Sequence, residues 1–530
     1  MSKNSFLKGA AILGIAGLMT KVLGAFYRIP LSNLIGAEGV GYYQTAYPLY
    51  TLLVTISTAG FPTAISKLIS EKRALEDYRG AQRIFKVSFI GFILAGVITS
   101  LFVGLFSKNI VGYMKSENGY YALIALVPAL LLVPIMSAFR GYFQGQQFMV
   151  PTAVSQVIEQ LFRVGVGLTL ANYLVSSGLP KAAGGASFGA SAGALAGMIF
   201  IVLIYFLNRN KRNEEIESGK DYPLEDAGVI AKNILNIAVP ITIGASMVPI
   251  INNLDTFIIL RRLADIGYSK LEAASLFGQL TGNAQTIINF PQVISLSLAM
   301  SLVPAISDAI TRKDYDGMRG ATKSGLRMTL LIGLPSAIGI FVLSTPIIKL
   351  LYFNNSLEEQ IGAGTMLRVL SISLIFLTVV QTLTAVLQGA GKPLIPVRNL
   401  GFAVIVKAVS TYILVGIPSL NAKGAAISTV LTYLTAATLD FISVKKITKT
   451  KFDMMNTFIK PTICSLIMGL AVYLTYILLD SIIGAKLSTV IAIGVGGLVY
   501  LIALVVLKAV TREDMMMLPK GEKIADKLKL

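Results

Sequence analysis

Ionisable side chains interrupt otherwise apolar stretches of this chain at Lys21, Arg28, Glu159, Arg163, Asp255 and Lys407. A charge inside a bilayer costs several kcal/mol unless it faces a polar cavity or a partner, so each of these positions is a candidate site. The cations suit an anionic group that lipid does not solvate. Arginine can hold phosphate oxygens in a bidentate fork, and lysine offers a point charge. Asp255, preceded by Asn252 and Asn253, presents oxygen ligands of the kind that bind a coupling cation. The resources for covalent or metal chemistry are poor. Histidine is absent, which removes His bases and His metal ligands, and the lone Cys464 sits in an apolar run as ordinary packing.

Depth sharpens the choice. Lys21 lies about 22 Å along the first apolar run, past the bilayer centre, at 1.5 Å per residue. Arg28 is one to two turns further, where snorkelling to the outer interface competes with a substrate role. Arg163 and Lys407 each lie about 17 Å into their runs, near mid-depth. Arg163 has an alternative partner in Glu159, four residues earlier on the same helix face, whereas Lys407 has no carboxylate within a turn. Asp255 could instead neutralise Arg261 or Arg262, about two turns away.

The elements that must position these groups are membrane helices. The chain is 54% apolar and only 14% charged, with mean hydropathy +0.72, so it cannot cover a water-facing surface. A span needs about 20 mainly apolar residues. Fourteen are expected: 6–28, 41–68, 83–107, 120–141, 152–175, 184–208, 231–260, 274–306, 323–344, 365–388, 395–416, 422–444, 457–479 and 484–508. The fold class is therefore all-α integral membrane.

Within those spans the chain repeats itself. Ala64-Ile65-Ser66 and Arg79-Gly80-Ala81 reappear as Ala305-Ile306-Ser307 and Arg319-Gly320-Ala321. Phe143-Gln144-Gly145, Pro151 and Arg163 reappear as Leu387-Gln388-Gly389, Pro396 and Lys407. A repeat this long in a membrane protein implies two lobes around a shared site, and six spans per lobe put the pseudo-axis along the membrane normal. The expected organisation is an N-terminal lobe at 1–208, a cytoplasmic linker at 209–230, a C-terminal lobe at 231–444, two additional helices within 445–508 and a basic tail at 509–530. Arg163 and Lys407 then occupy equivalent positions across one central space.

Lys and Arg concentrate in one set of connections: Lys72 to Arg83, Arg209 to Lys220, Arg312 to Arg319, Lys445 to Lys451, and both termini. The positive-inside rule makes that side cytoplasmic, with Arg261, Arg262 and Lys270 as the main exception outside. The net charge of +19 is spread between apolar runs rather than along one face, which argues against nucleic acid. Lys3 and Lys8 ahead of an apolar stretch resemble a signal peptide, but Lys21 interrupts that stretch and no small-residue cleavage site stands out, so it reads as a retained first span. No loop exceeds about 25 residues, too short for a soluble catalytic domain. Gly389-Ala390-Gly391-Lys392 runs into Pro393 and lacks the spacing of a phosphate loop, so ATP is not expected as a cofactor.

Helix breakers are frequent: Gly60, Pro62, Pro128, Pro134, Pro240, Pro249, Pro291 and Pro335 all interrupt spans. Gly185, Gly189, Gly193 and Gly197 recur every fourth residue in the sixth span, which permits close approach of another backbone.

Two stretches carry a family resemblance. Arg140-Gly141-Tyr142-Phe143-Gln144-Gly145, followed by Pro151-Thr152-Ala153-Val154-Ser155-Gln156, Glu159-Gln160 and Arg163, is one; Gly60-Phe61-Pro62-Thr63-Ala64-Ile65-Ser66-Lys67 is the other. Over nearly its whole length the chain resembles the multidrug/oligosaccharidyl-lipid/polysaccharide (MOP) exporter superfamily. Within it, the chain is similar to the stage V sporulation protein B-like and Gram-positive MurJ-like lipid II flippase group. The resemblance implies outward translocation of an undecaprenyl-pyrophosphate-linked glycan, with lipid II the leading cargo, and no enzyme activity. Lys21 matches a first-span basic position that lines the cavity in that group, and Arg28 approximates a second. Gln156 and Glu159 stand in the signature beside Arg163 and join Lys21, Arg28 and Lys407 as candidate substrate-binding residues. The chain departs from the group at Leu53-Val54-Thr55 and Gln285-Thr286-Ile287, where cavity cations are usual, and at Tyr42 and Tyr43, where an acidic residue is usual.

The expected mechanism is alternating access, with the pyrophosphate-sugar head in a cationic cavity and the prenyl tail left in lipid. Membrane potential, or coupling to Na+ or H+ at Asp255, Asn252 and Asn253, would drive it. The expected partners are the lipid-linked glycan, membrane lipids and the cell-wall synthesis machinery, with the monomer as functional unit. A cation-coupled multidrug exporter, or a flippase for another polysaccharide lipid, is the alternative. A membrane glycosyltransferase would need acid/base residues on a large outer loop, where little beyond Asp265, Glu272, Glu358 and Glu359 is available.

Overall fold

Apolar runs become helices here because a backbone in hydrocarbon must satisfy its own hydrogen bonds. The computed structural model describes residues 3–510, with side chains from Ile12 onward except that of Lys21. The helices in chain order are α1 (Lys3–Thr58), α2 (Phe61–Ala74), α3 (Tyr78–Tyr113), α4 (Tyr120–Gly145), α5 (Val150–Leu174), α6 (Leu179–Leu207), α7 (Arg209–Ser218), α8 (Ala227–Asp265) and α9 (Lys270–Gly278). They continue as α10 (Gln285–Thr311), α11 (Tyr315–Val342), α12 (Ser344–Leu351), α13 (Leu357–Gly389), α14 (Leu394–Val415), α15 (Ala422–Thr448), α16 (Lys460–Ile483) and α17 (Ala485–Val506). No strand occurs among the described residues, and the fold class is all-α.

Twelve helical stretches among the described residues are long and apolar enough to cross a membrane. The expected count was fourteen, and two stretches account for the difference from it. Val150–Leu174, which carries Glu159 and Arg163, is long enough to cross but more polar than those twelve. The first stretch is interrupted at Gly36, where φ 67 and ψ 178 break α1 into two helices. That combination of angles is essentially a glycine conformation. It reverses the chain: the Tyr27 and Tyr43 rings stand 6.3 Å apart, whereas a straight helix would separate them by about 24 Å.

Two compact units emerge. One comprises Met1–Ala264 with Ser269–Gly278, and the other comprises Asp265–Tyr268 with Gln279–Leu530. In the first, backbones meet closely. The Gly60 amide donates to Thr242 Oγ1 at 3.2 Å, and a Cβ at Gly41 would lie 2.0 Å from the Ala274 carbonyl oxygen. Its core joins Leu31, Ile35, Ile65, Leu126 and Phe143 from α1, α2 and α4, all nearly inaccessible. In the second unit, separate clusters form around Leu326, Leu383 and Leu387, and around Met468 and Val472. Many large apolar side chains point outward, among them Leu105, Leu207 and Ile482, as a lipid-facing surface requires.

The sequence repeat reaches the turns. Glu76 and Lys313 both adopt positive φ and precede Asp77 and Asp314, whose carboxylates cap α3 and α11 by accepting from Gly80 and Gly317 amides at 2.7 and 2.8 Å. Gln147 and Gly391, then Gly178 and Asn421, are further positive-φ pairs at matching places ahead of α5, α14, α6 and α15.

Candidate functional site

The reversal at Gly36 turns two halves of one helix toward each other. Tyr43, Tyr47 and Tyr50 lie at i, i+4 and i+7 on the second half, one face of a helix. Tyr43 and Tyr47 stack with centroids 5.3 Å apart, and Tyr50 follows at 5.8 Å from Tyr47. Two guanidiniums converge on that ladder. Arg163 from α5 sits 4.9 Å from the Tyr47 ring centroid, and Arg28 from the first half of α1 sits 5.9 Å from the same ring. The ring's negative face offsets part of the cost of holding cations there. Arg163 Nη2 is buried with no hydrogen-bond acceptor among the described residues.

Glu159 forms its ion pair outside this cluster. The i, i+4 pairing with Arg163 considered from sequence is replaced: Arg140 of α4 donates through Nη2 to Glu159 Oε2 at 2.9 Å and through Nε to Ser155 Oγ at 3.0 Å. The Arg140 guanidinium thus bridges Ser155 and Glu159, one turn apart on α5. Neither Arg28 nor Arg163 forms an ion pair with a carboxylate among the described residues.

The glycine ladder sets the position of α5. A Cβ on Gly189 would stand 2.4 Å from the Arg163 carbonyl oxygen, and one on Gly193 would stand 2.3 Å from that of Glu159. The α6 backbone thus rests directly on the backbone of the two charged positions. Tyr27 OH adds a bond to the Ala186 carbonyl at 2.9 Å.

The remaining candidates fall elsewhere. The side chain of Lys21 lies outside the described residues, and so do positions 511–530 of the basic tail. Gln156 is half-buried on α5, one turn from Glu159. Lys407, in the second unit, is 1% exposed and donates to Thr429 Oγ1 at 2.7 Å and to the Ala425 carbonyl at 3.4 Å. Its ammonium is thus held against α15. Asn253 spends both amide hydrogens on the Pro48 and Pro249 carbonyls, at 2.7 and 2.8 Å, leaving its buried Oδ1 without a donor. Asn252 is exposed and Asp255 half-buried on the same helix. Arg261 stacks on Tyr113 at 4.6 Å.

One buried carboxylate was not among the sequence candidates. Asp440, buried in α15, accepts from Asn399 Nδ2 at 2.9 Å and from Thr384 Oγ1 at 3.2 Å. Thr384, Asn399 and Lys407 follow Arg140, Ser155 and Arg163 by the same interval of 244 positions. Each unit therefore ties equivalent helices together through a carboxylate, with Glu159 in one and Asp440 in the other. The only sequence signal was a lone carboxylate near the end of an apolar run.

A profile of the polysaccharide biosynthesis protein family matches residues 6–310, and the MatE profile matches 240–413. Among curated relatives, the lipid II flippase MurJ of Bacillus subtilis (strain 168) is 29% identical over 524 residues, covering 94% of both chains. The uncharacterized membrane protein YabM of the same organism is 30% identical, covering 98% of this chain and 96% of its own. Stage V sporulation protein B from that organism is 29% identical over 84% of this chain and 85% of its own. The fold is shared with a solved structure of lipid II flippase MurJ in an inward closed conformation, at TM-score 0.69 and 17% identity, covering 94% of this chain and 98% of that one. An inward-facing multidrug resistance MATE family transporter also gives TM-score 0.69, at 15% identity, covering 81% and 94%. A multi-pass membrane transporter, not an enzyme, is what these likenesses have in common. The chain belongs to the polysaccharide biosynthesis protein family, in the MurJ-like and stage V sporulation protein B-like group of the MOP superfamily.

Proposed function

We propose that this protein flips an undecaprenyl-pyrophosphate-linked saccharide, lipid II first among them, from the inner to the outer leaflet of a Gram-positive cell membrane. The observation that carries the reading is the convergence of Arg28 and Arg163 on Tyr47 while Arg140 occupies Glu159. Two guanidiniums outside any ion pair among the described residues suit a pyrophosphate, whose oxygens accept bidentate hydrogen bonds. Lys21 shares a helix with Arg28, and Lys407 supports the equivalent place in the second half. The two lobes, 1–208 and 231–444, alternate access around the headgroup, with 445–508 as additional helices and both termini cytoplasmic. The functional unit is the monomer, working beside the cell-wall synthesis machinery.

Membrane potential is an adequate motor. A charge crossing 100 mV is worth about 2.3 kcal/mol, so a doubly charged head leaving a negative interior gains about 4 to 5 kcal/mol. Na+ or H+ binding at Asp255, with Asn252 and the Asn253 Oδ1, is the coupled variant. The MatE match over 240–413 favours a second reading, a cation-coupled drug exporter.

Reconstitution separates the readings. Liposomes holding the purified protein should flip labelled lipid II, or another undecaprenyl-pyrophosphate glycan, faster when an inside-negative potential is imposed. Efflux of cationic drugs without movement of either lipid would replace this reading with the exporter.

A further inference from the structure

A cavity of about 200 Å3 opens in the first unit where α2, α4 and α6 end and the linker helix α7 begins. Its walls hold three cations, Arg73, Lys211 and Arg212, and one carboxylate, Glu215. Glu215 is already committed: Arg73 grips it through two nitrogens, at 2.8 and 3.1 Å. Arg212 is fixed by stacking 3.9 Å from the Tyr205 ring centroid and by donating Nη1 to the Tyr205 carbonyl at 2.9 Å. That leaves its other nitrogens for a ligand. Lys211 makes no hydrogen bond or ion pair among the described residues. The cavity thus has two positive charges beyond what its carboxylate neutralises, one of them preoriented.

The surroundings suggest how an anion arrives. Phe148 lines the cavity and is 43% exposed, and Phe206 and Leu207 beside Tyr205 are 60% and 79% exposed. An anion-binding cavity therefore adjoins side chains suited to acyl chains. The loops on this side are the lysine- and arginine-rich set that the positive-inside rule assigns to the cytoplasm. Basic pockets between helices at that surface suit anionic headgroups.

We propose that this cavity binds a phosphate group, presented by an anionic phospholipid of the inner leaflet. The phosphate bridges Arg212 and Lys211, and the glycerol end leans on Phe148.

The test uses full-length protein, delipidated in detergent, with native mass spectrometry as the readout. The probes are phosphatidylglycerol, phosphatidylcholine and inorganic phosphate. Wild type should retain phosphatidylglycerol at least tenfold better than phosphatidylcholine. Lys211→Ala should weaken retention severalfold, and Lys211→Ala with Arg212→Gln should abolish the preference, while Lys392→Ala, an exposed charge loss in the second unit, should not change it. Lys211→Ala breaks no contact, so it remains informative should Arg212→Gln impair folding. Displacement of bound phosphatidylglycerol by millimolar phosphate supports the phosphate as the recognised group. Equal retention of the two lipids, or unchanged preference in a folded double variant, would overturn the proposal. Binding of inorganic phosphate without phosphatidylglycerol would overturn its lipid source.

Discussion

Glu159 and Arg163 stand one helical turn apart, yet the carboxylate is bound by Arg140 from another helix, 2.9 Å away. This exchange of partners leaves Arg163 outside any carboxylate ion pair among the described residues, beside Tyr47. It also makes Arg140 a positioning residue, acting through Glu159 rather than on a ligand.

Neutralising Arg28 or Arg163 should cost most of the transport. A charge-assisted hydrogen bond to a charged ligand is worth about 1.5 to 3 kcal/mol, so Arg163→Gln should weaken headgroup affinity roughly ten- to a hundredfold. Arg163→Lys should recover part of it. Flipping rates in liposomes check both, and wild-type rates in the double Gln variant would remove the arginines from the site.

The Arg140–Glu159 pair should register as stability. Either Arg140→Gln or Glu159→Gln leaves a half-buried charge unpaired and should cost about 1 to 3 kcal/mol. The double variant should cost less than the two together. Thermal unfolding in detergent, arranged as a double-mutant cycle, measures the coupling.

The glycine ladder predicts a positional contrast. Gly193→Val should lower stability by about 1 to 3 kcal/mol through overpacking against the Glu159 carbonyl and should slow transport. Gly165→Val, with nothing within 4 Å of its added Cβ, should do far less damage on both measures.

Lys407 offers a test of a buried cation. It donates to the Thr429 hydroxyl and the Ala425 carbonyl, and replacing buried ionic groups by apolar ones is often neutral or stabilising. Lys407→Met should leave unfolding temperature unchanged or raised while transport falls. A large fall in stability with normal transport would make Lys407 purely structural.

The linker should be sensitive to salt and alkali. Residues 215–225 are pinned to α2 and α3 by Arg73–Glu215, Arg79–Asp221, Lys220–Glu76 and Lys72–Glu225, all at 3.1 Å or less. Such contacts weaken as salt rises. The Glu76 carboxylate holds the exposed Lys220 ammonium above its ordinary pKa. Its contribution is therefore complete below the ordinary lysine value near 10.5 and is lost as pH rises through the raised one. Limited proteolysis of the linker should accelerate under both changes.

Much of this arrangement was legible in sequence because hydrocarbon makes a stray charge conspicuous. Arg163 and Lys407 stood out by type, depth and repeat position. The partners did not. Local helix rules favoured Arg163 for Glu159, whereas the observed bond spans 19 positions and depends on how α4 packs on α5. Tyr43, Tyr47 and Tyr50 carried a helical spacing, but nothing showed that Arg28 would meet them until Gly36 folded the chain back. Asp440 was hidden because it lies close to the Lys445 end of its span, where a carboxylate needs no explanation.

That single reversing residue has an evolutionary and engineering corollary. With no loop between the two halves of the hairpin, there is no slack to absorb an extra residue. One insertion after Gly36 would turn the following helix by about 100° and aim the tyrosines at lipid instead of arginine. Tolerance to length change should be lower at this corner than in the linker, so a scan of single-residue insertions would map the site without touching any charged side chain.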